Sequence, residues 1–270
     1  MEDPKIMKYF KEVETSNSMN DSNIQKKVNK DSASTIEIDS DLKIEKGALL
    51  IPEIGNKLCC PFPIIAKALL LYHRFMKVCP ENKRKPDCIA AGVLSISIKL
   101  CDHDIKLKKI ILEFYYLFQN KKHFQEPATV NQPSYERLKK MNHNLVLIQH
   151  YIYNALSYNL ECEIAHEIVL PYLEQLQATS DVDKSTVAYL CCTTMKLLST
   201  FYFCRKCIQY TAKELAMACL HFAFISSGSE VHSFKAVLKR EIAAVEDLGK
   251  LNDIVDDMIL VSDVSTLSIT

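Results

Sequence analysis

The stretch that decides the fold runs Pro86-Asp-Cys-Ile-Ala-Ala-Gly-Val-Leu-Ser-Ile-Ser-Ile-Lys-Leu-Cys-Asp-His-Asp-Ile-Lys-Leu107. Ile89, Val93, Ile96 and Leu100 recur at helical spacing and make one apolar face. Ala90, Ala91, Gly92, Ser95 and Ser97 are too small to hold neighbours away, so other helices can close on this one. Pro86 suits the start of a helix, and Asp87 just after it can act as the cap. Lys99 sits where the apolar run gives way to charged chain. The pattern predicts a central, buried helix with a cation at its exit.

The same periodicity extends outward from this helix. Leu49, Leu50, Ile54 and Leu58 mark a preceding helix that Cys59–Pro61 interrupts, and Phe62–Cys79 forms the next. A fourth helix is expected over about Leu107–Phe118, and a fifth over Tyr135–Leu156 after a loop holding Pro127 and Pro133. The pattern then restarts. Ile164–Leu176 and Asp183–Phe203, the latter opened by Asp181 or Asp183, lead to a helix that Thr211 and Glu214 begin as a capping box. Short helices at about 231–242 and 244–260 complete the second set. Residues 1–42 are different: polar and Ser-, Asn-, Asp- and Lys-rich, with one short apolar stripe at Ile6, Met7, Phe10 and Val13. The expected architecture is all-α. A flexible polar extension covers 1–42, one helical domain 43–160, a second 161–262, and a tail 263–270.

Composition narrows the chemistry. The 270 residues carry 33 basic and 33 acidic side chains, so total charge points to neither nucleic acid nor an anionic membrane. Five glycines are few, and no phosphate-cradling glycine loop is present. No run reaches the ~18 apolar residues of a membrane span. Eleven cysteines follow a start without a secretory apolar core, so thiols in a reducing intracellular compartment are expected. Cys204-x-x-Cys207 and His221 supply part of a zinc frame, but no second pair stands at useful spacing. The histidines are scattered, and no nucleophile–base or metal constellation emerges. No cofactor, no metal and no enzymatic activity are expected.

Four segments resemble the transcriptional cyclins of the T, K, L and Q types, across about residues 45–226. The first runs from Gly47 to Met76 and ends in Tyr72-His73-Arg74-Phe75, similar to an aromatic-His-Arg-Phe signature. The second is Asp87 to Leu100, where small residues including Ala90 and Ala91 lead to a lysine. The third is Leu156-Ser157-Tyr158-Asn159-Leu160, in place of Leu-Gly-Phe-Asp-Leu. The fourth is Ala216–Ala223 with Ser227 to Val231, similar to a second box.

This resemblance implies two tandem five-helix cyclin boxes, the first of which binds and activates a cyclin-dependent kinase as a heterodimer. It implies a role in transcription, phosphorylation of the RNA polymerase II tail by that kinase, and a nuclear location with or without a cytoplasmic pool. The second box would recruit transcription factors. The family pairs a third-helix Lys with a fifth-helix Glu at the kinase contact; here these positions match Lys99 and Gln149. Asp102 alone retains an acidic group after the lysine. Phe114, Tyr115 and Phe118 form a fourth-helix aromatic stripe near the implied kinase face. Tyr72, His73 and Phe75 are expected in the core, with Arg74 either bracing the box through a carboxylate or facing solvent.

Other functions fit the residues less well. A general transcription factor with cyclin-like folds would carry a Cys-rich zinc ribbon and excess basic charge; residues 1–40 hold no Cys. A cell-cycle cyclin would carry a Met-Arg-Ala-Ile-Leu-like docking motif where this chain has Lys46-Gly47-Ala48-Leu49-Leu50. A helical scaffold of unrelated fold is the remaining alternative.

Overall fold

Prolines and short-range caps set the helix starts. In the computed structural model, which describes residues 45–122, 132–178, 183–227 and 248–267, helix α1 spans Lys46–Lys57 and α2 Phe62–Val78, with Pro63 in the first turn of α2. Helix α3 spans Pro86–Leu100 with Pro86 at its first position, where a missing N–H costs nothing. Lys85 is therefore the cap residue, and Asp87 moves into the first turn, where its carboxylate favours the dipole instead of capping. Helix α4 is Leu107–Lys122, α5 Tyr135–Ala155 and α6 Ala165–Ala178. Helix α7 is Lys184–Phe201, followed by a 3-10 turn at Arg205–Gln209, α8 at Ala212–Ser226 and α9 at Leu248–Leu267. Thr211 Oγ1 accepts from Glu214 N at 3.2 Å, and Glu214 Oε2 accepts from Thr211 N at 2.8 Å, completing the expected capping box.

Three helix ends share one device. The amide of Cys60 bonds the carbonyl of Gly55 at 2.8 Å, that of His103 bonds Ile98 at 3.1 Å, and that of Tyr158 bonds Tyr153 at 2.9 Å. Each closes a Schellman turn through a left-handed residue: Cys59 (φ 58°), Asp102 (φ 48°) and Ser157 (φ 51°). Glycine would fit these positions without strain, but this chain has little of it.

Helix α3 packs against α1, α2, α4 and α5, and Ile89, Val93 and Ile96 are fully buried. The small residues have the predicted use. A methyl built on Gly92 would lie 2.6 Å from Ile152 Cδ1 and 2.7 Å from Ile148 Cγ2, so α3 and α5 cross where no side chain stands between them. Helix α8 has the equivalent role among the later helices, packing against α6, α7 and α9. Its Ala216, Ala218 and Cys219 are fully buried.

The two helix sets belong to one compact unit, Asp39–Thr270, and meet along α2 and the 3-10 turn. His73 reaches Tyr202, the ring of Phe62 lies 4.2 Å from that of His166, and Arg205 pairs with Glu45. Among the described residues there is no strand, as the all-α expectation required. Helix α9 continues to Leu267, beyond the point where a tail was expected, and buries Ile254, Met258 and Val261 along one face. The expected extension at 1–42, with its apolar stripe, and the expected helix at 231–242 lie outside the described residues.

Candidate partner-binding site

The exit of α3 lies beside the middle of α5, and a short polar relay joins them. Lys99 Nζ donates to Gln149 Oε1 at 2.7 Å. Lysine has only donors, so the amide oxygen must face it, and the amide nitrogen is left for the far side. There Gln149 Nε2 donates to Ser95 Oγ at 2.6 Å. Gln149 is 3% exposed, whereas Lys99 is exposed. The stem of Lys99 is thus tethered at its tip to a buried amide, while its remaining N–H bonds face outward. Among the described residues no carboxylate forms an ion pair with Lys99.

In the sequence Ser95 reads only as a small packing residue. Its spacing of four from Lys99 was the available signal, since that places it one turn earlier on the same face. Asp102 stands just past this face as the left-handed residue of the Schellman turn, exposed, with its amide donating to the Lys99 carbonyl at 3.2 Å. Leu100, 46% exposed, adds an apolar edge beside the cation.

Helix α4 divides its aromatics. Phe114 is buried in the core with Ile110 and Leu117, which recur with it at helical spacing, and so offers a partner little surface. Tyr115 is half-buried; the Arg137 guanidinium sits 5.1 Å from its ring centroid, and Tyr116 meets it edge-on at 5.7 Å. The side chain of Phe118 lies outside the described part.

The Tyr72–Phe75 segment braces the molecule. Tyr72, His73 and Phe75 are fully buried, as is Ala90, while Ala91 is half-buried. Tyr72 OH donates to Glu45 Oε2 at 3.0 Å, and burial beside that carboxylate raises the phenol well above its ordinary range. His73 Nε2 donates to the Tyr202 carbonyl at 3.0 Å, and burial pushes the ring down to about 4 despite that bond. Arg74 is half-buried and pairs with no carboxylate among the described residues. Its Nη1 donates to the Glu161 carbonyl at 2.7 Å and its Nη2 to the Asn159 carbonyl at 2.9 Å. A guanidinium fork suits two carbonyls of an irregular connection that have no helix to satisfy them. Beside it an open groove of about 880 Å³ runs between the ends of α2 and α5 and the start of α8, lined in part by Lys77, Leu156, Cys162, Tyr202 and Tyr210.

The paired thiols belong to the core. Burial raises Cys204 to about 12 and holds Cys207 and Cys219 well above the usual thiol range, which disfavours the thiolate a metal would need. Among the described residues no group of three or more His, Cys, Asp or Glu is placed to hold a metal ion, and no helix is long and apolar enough to cross a membrane.

No known family model matches the chain. Its fold is similar to that of one chain in the structure of the CAK complex from Chaetomium thermophilum bound to ATP-γ-S. The TM-score is 0.52 at 13% identity, over 78% of this chain and 60% of that one, so this chain spans less than two thirds of that chain's length. At that identity the likeness is one of fold alone.

Proposed function

We propose that this chain is a cyclin-like regulatory subunit that binds and activates a cyclin-dependent protein kinase, one acting in transcription. In this reading the helices form two five-helix boxes, at about 43–160 and 161–262, and the first box docks the kinase through the exit of α3 and the middle of α5. The supporting observation is the contact of Lys99 with Gln149, 50 residues apart in sequence. Those are the two positions at which the cyclin resemblance calls for a Lys–Glu pair. The distant likeness of fold to a chain of the CAK complex is in keeping with this reading.

The chain has no chemistry of its own to supply here. Bound beside the kinase, it would hold the kinase's glutamate-bearing helix inward, so that the Lys–Glu pair around ATP can form. The second box would remain free for transcription factors, and the complex would act in the nucleus. The test is to mix the purified chain with purified cyclin-dependent kinase catalytic subunits, one at a time, and to follow phosphate transfer to a polymerase-tail peptide. At least one subunit should gain activity, and Lys99→Ala should abolish the gain. Phosphate transfer by the chain without any kinase, or no stimulation of any subunit, contradicts the proposal.

A further inference from the structure

Gln149 changes what the partner must bring to this face. Its amide is already engaged on both sides, with Oε1 on Lys99 and Nε2 on Ser95, and it is 3% exposed. It therefore offers a partner almost no surface. The group that tethers Lys99 is neutral, and no carboxylate among the described residues forms an ion pair with it.

We infer that the partner element seated against Lys99 carries an acidic side chain, an Asp or Glu carboxylate, in addition to any backbone acceptor. The inference rests on the kinase-binding reading and specifies the partner that it requires. A Lys–Glu pair within one chain is close to neutral, and is served by partner groups that are neutral dipoles. A Lys–Gln pair carries a net charge into an interface, where an unpaired charge is costly once water is excluded. A carboxylate with one oxygen on Nζ supplies the missing counter-charge and uses an N–H that Gln149 leaves unoccupied. Gln149 then acts as a positioning residue, holding the ammonium at the exit of α3 without neutralising it.

The experiment measures affinity for whichever cyclin-dependent kinase subunit the chain stimulates. Gln149→Glu should weaken binding by about tenfold, since an internal carboxylate competes for Lys99 and repels the partner's. Lys99→Glu should weaken it by more than about a hundredfold, and one Asp→Lys or Glu→Lys change on the kinase should restore at least about tenfold of that loss. The remote exposed Lys184→Gln serves as control and should bind as the wild type. Thermal unfolding of each variant separates lost binding from lost folding. Should Gln149→Glu destabilise the chain, the Lys99→Glu charge swap decides alone. Tighter binding by a folded Gln149→Glu chain, or no acidic position on the kinase that rescues Lys99→Glu, overturns the inference and leaves the functional reading intact. A wild-type chain that binds no kinase overturns both.

Discussion

The imidazole of His73, on α2, donates from Nε2 to the carbonyl oxygen of Tyr202, at the end of α7, across 129 residues of chain. Its other nitrogen, Nδ1, is buried and has no hydrogen-bond partner among the described residues, and burial favours the neutral ring at the seam between the two helix sets. His166, stacked 5.5 Å from the Tyr202 ring, is likewise pushed down to about 4 by burial.

Stability should therefore fall with acid. Each ring has a lower pKa folded than unfolded, so between about pH 6.5 and 4 the unfolded chain binds more protons. The contribution is complete above that window and is lost as pH falls through it, with a slope of up to about 1.4 kcal/mol per pH unit for each histidine. His73→Gln keeps a donor for the Tyr202 carbonyl but cannot titrate. Urea midpoints at pH 7 and pH 5 should differ clearly less in that variant than in the wild type.

Lys99→Ala should separate binding from folding. Removing one partner of a charged interface contact typically costs about 2–5 kcal/mol of affinity. In the free chain the substitution strands only the Gln149 oxygen, at about 1 kcal/mol. Calorimetric titration against the kinase and a thermal melt should show a large change in the first and a small one in the second. Comparable affinities for both chains would place the interface elsewhere.

Gly92→Ala should destabilise by about 1–3 kcal/mol, because the added methyl has to displace Ile148 and Ile152 at the crossing of α3 and α5. A denaturant midpoint equal to that of the wild type would mean that the two helices are not in close contact there.

Ser157→Gly works in the opposite direction. Ser157 holds a left-handed conformation, φ 51°, that glycine adopts without strain. Relief of that strain exceeds the added freedom of the unfolded chain, and a gain of about 0.5–1 kcal/mol is expected in the same assay.

Arg74→Lys should not substitute for arginine. An ammonium cannot span the carbonyls of Asn159 and Glu161 as the guanidinium fork does. Amide exchange over residues 159–164 should quicken in the lysine variant and in Arg74→Met alike; unchanged protection in Arg74→Lys would show that charge alone suffices.

The amino-acid sequence by itself determined the helices and most of their ends. Proline at a first turn, Thr211 with Glu214, and apolar residues every three or four positions act within a single turn of chain, so they can be recognised without knowing what lies opposite. The small residues of α3 likewise announced close neighbours, though not which ones. Contacts over longer separations depended on how the helices cross. Phe114 and Tyr115 are adjacent and both aromatic, yet α4 turns the first into the core and leaves the second half-exposed under Arg137. Arg74 was an unassigned cation until the 156–163 connection brought two unsatisfied carbonyls to it. The pairing of Glu45 with Arg205 had no local signal, because its partners lie 160 residues apart. The sequence resemblance placed Lys99 and Gln149 at matching positions. Only the tertiary structure decided that the amide is spent on Ser95 and Lys99, because the two hydrogen bonds exist only where α3 and α5 meet across Gly92.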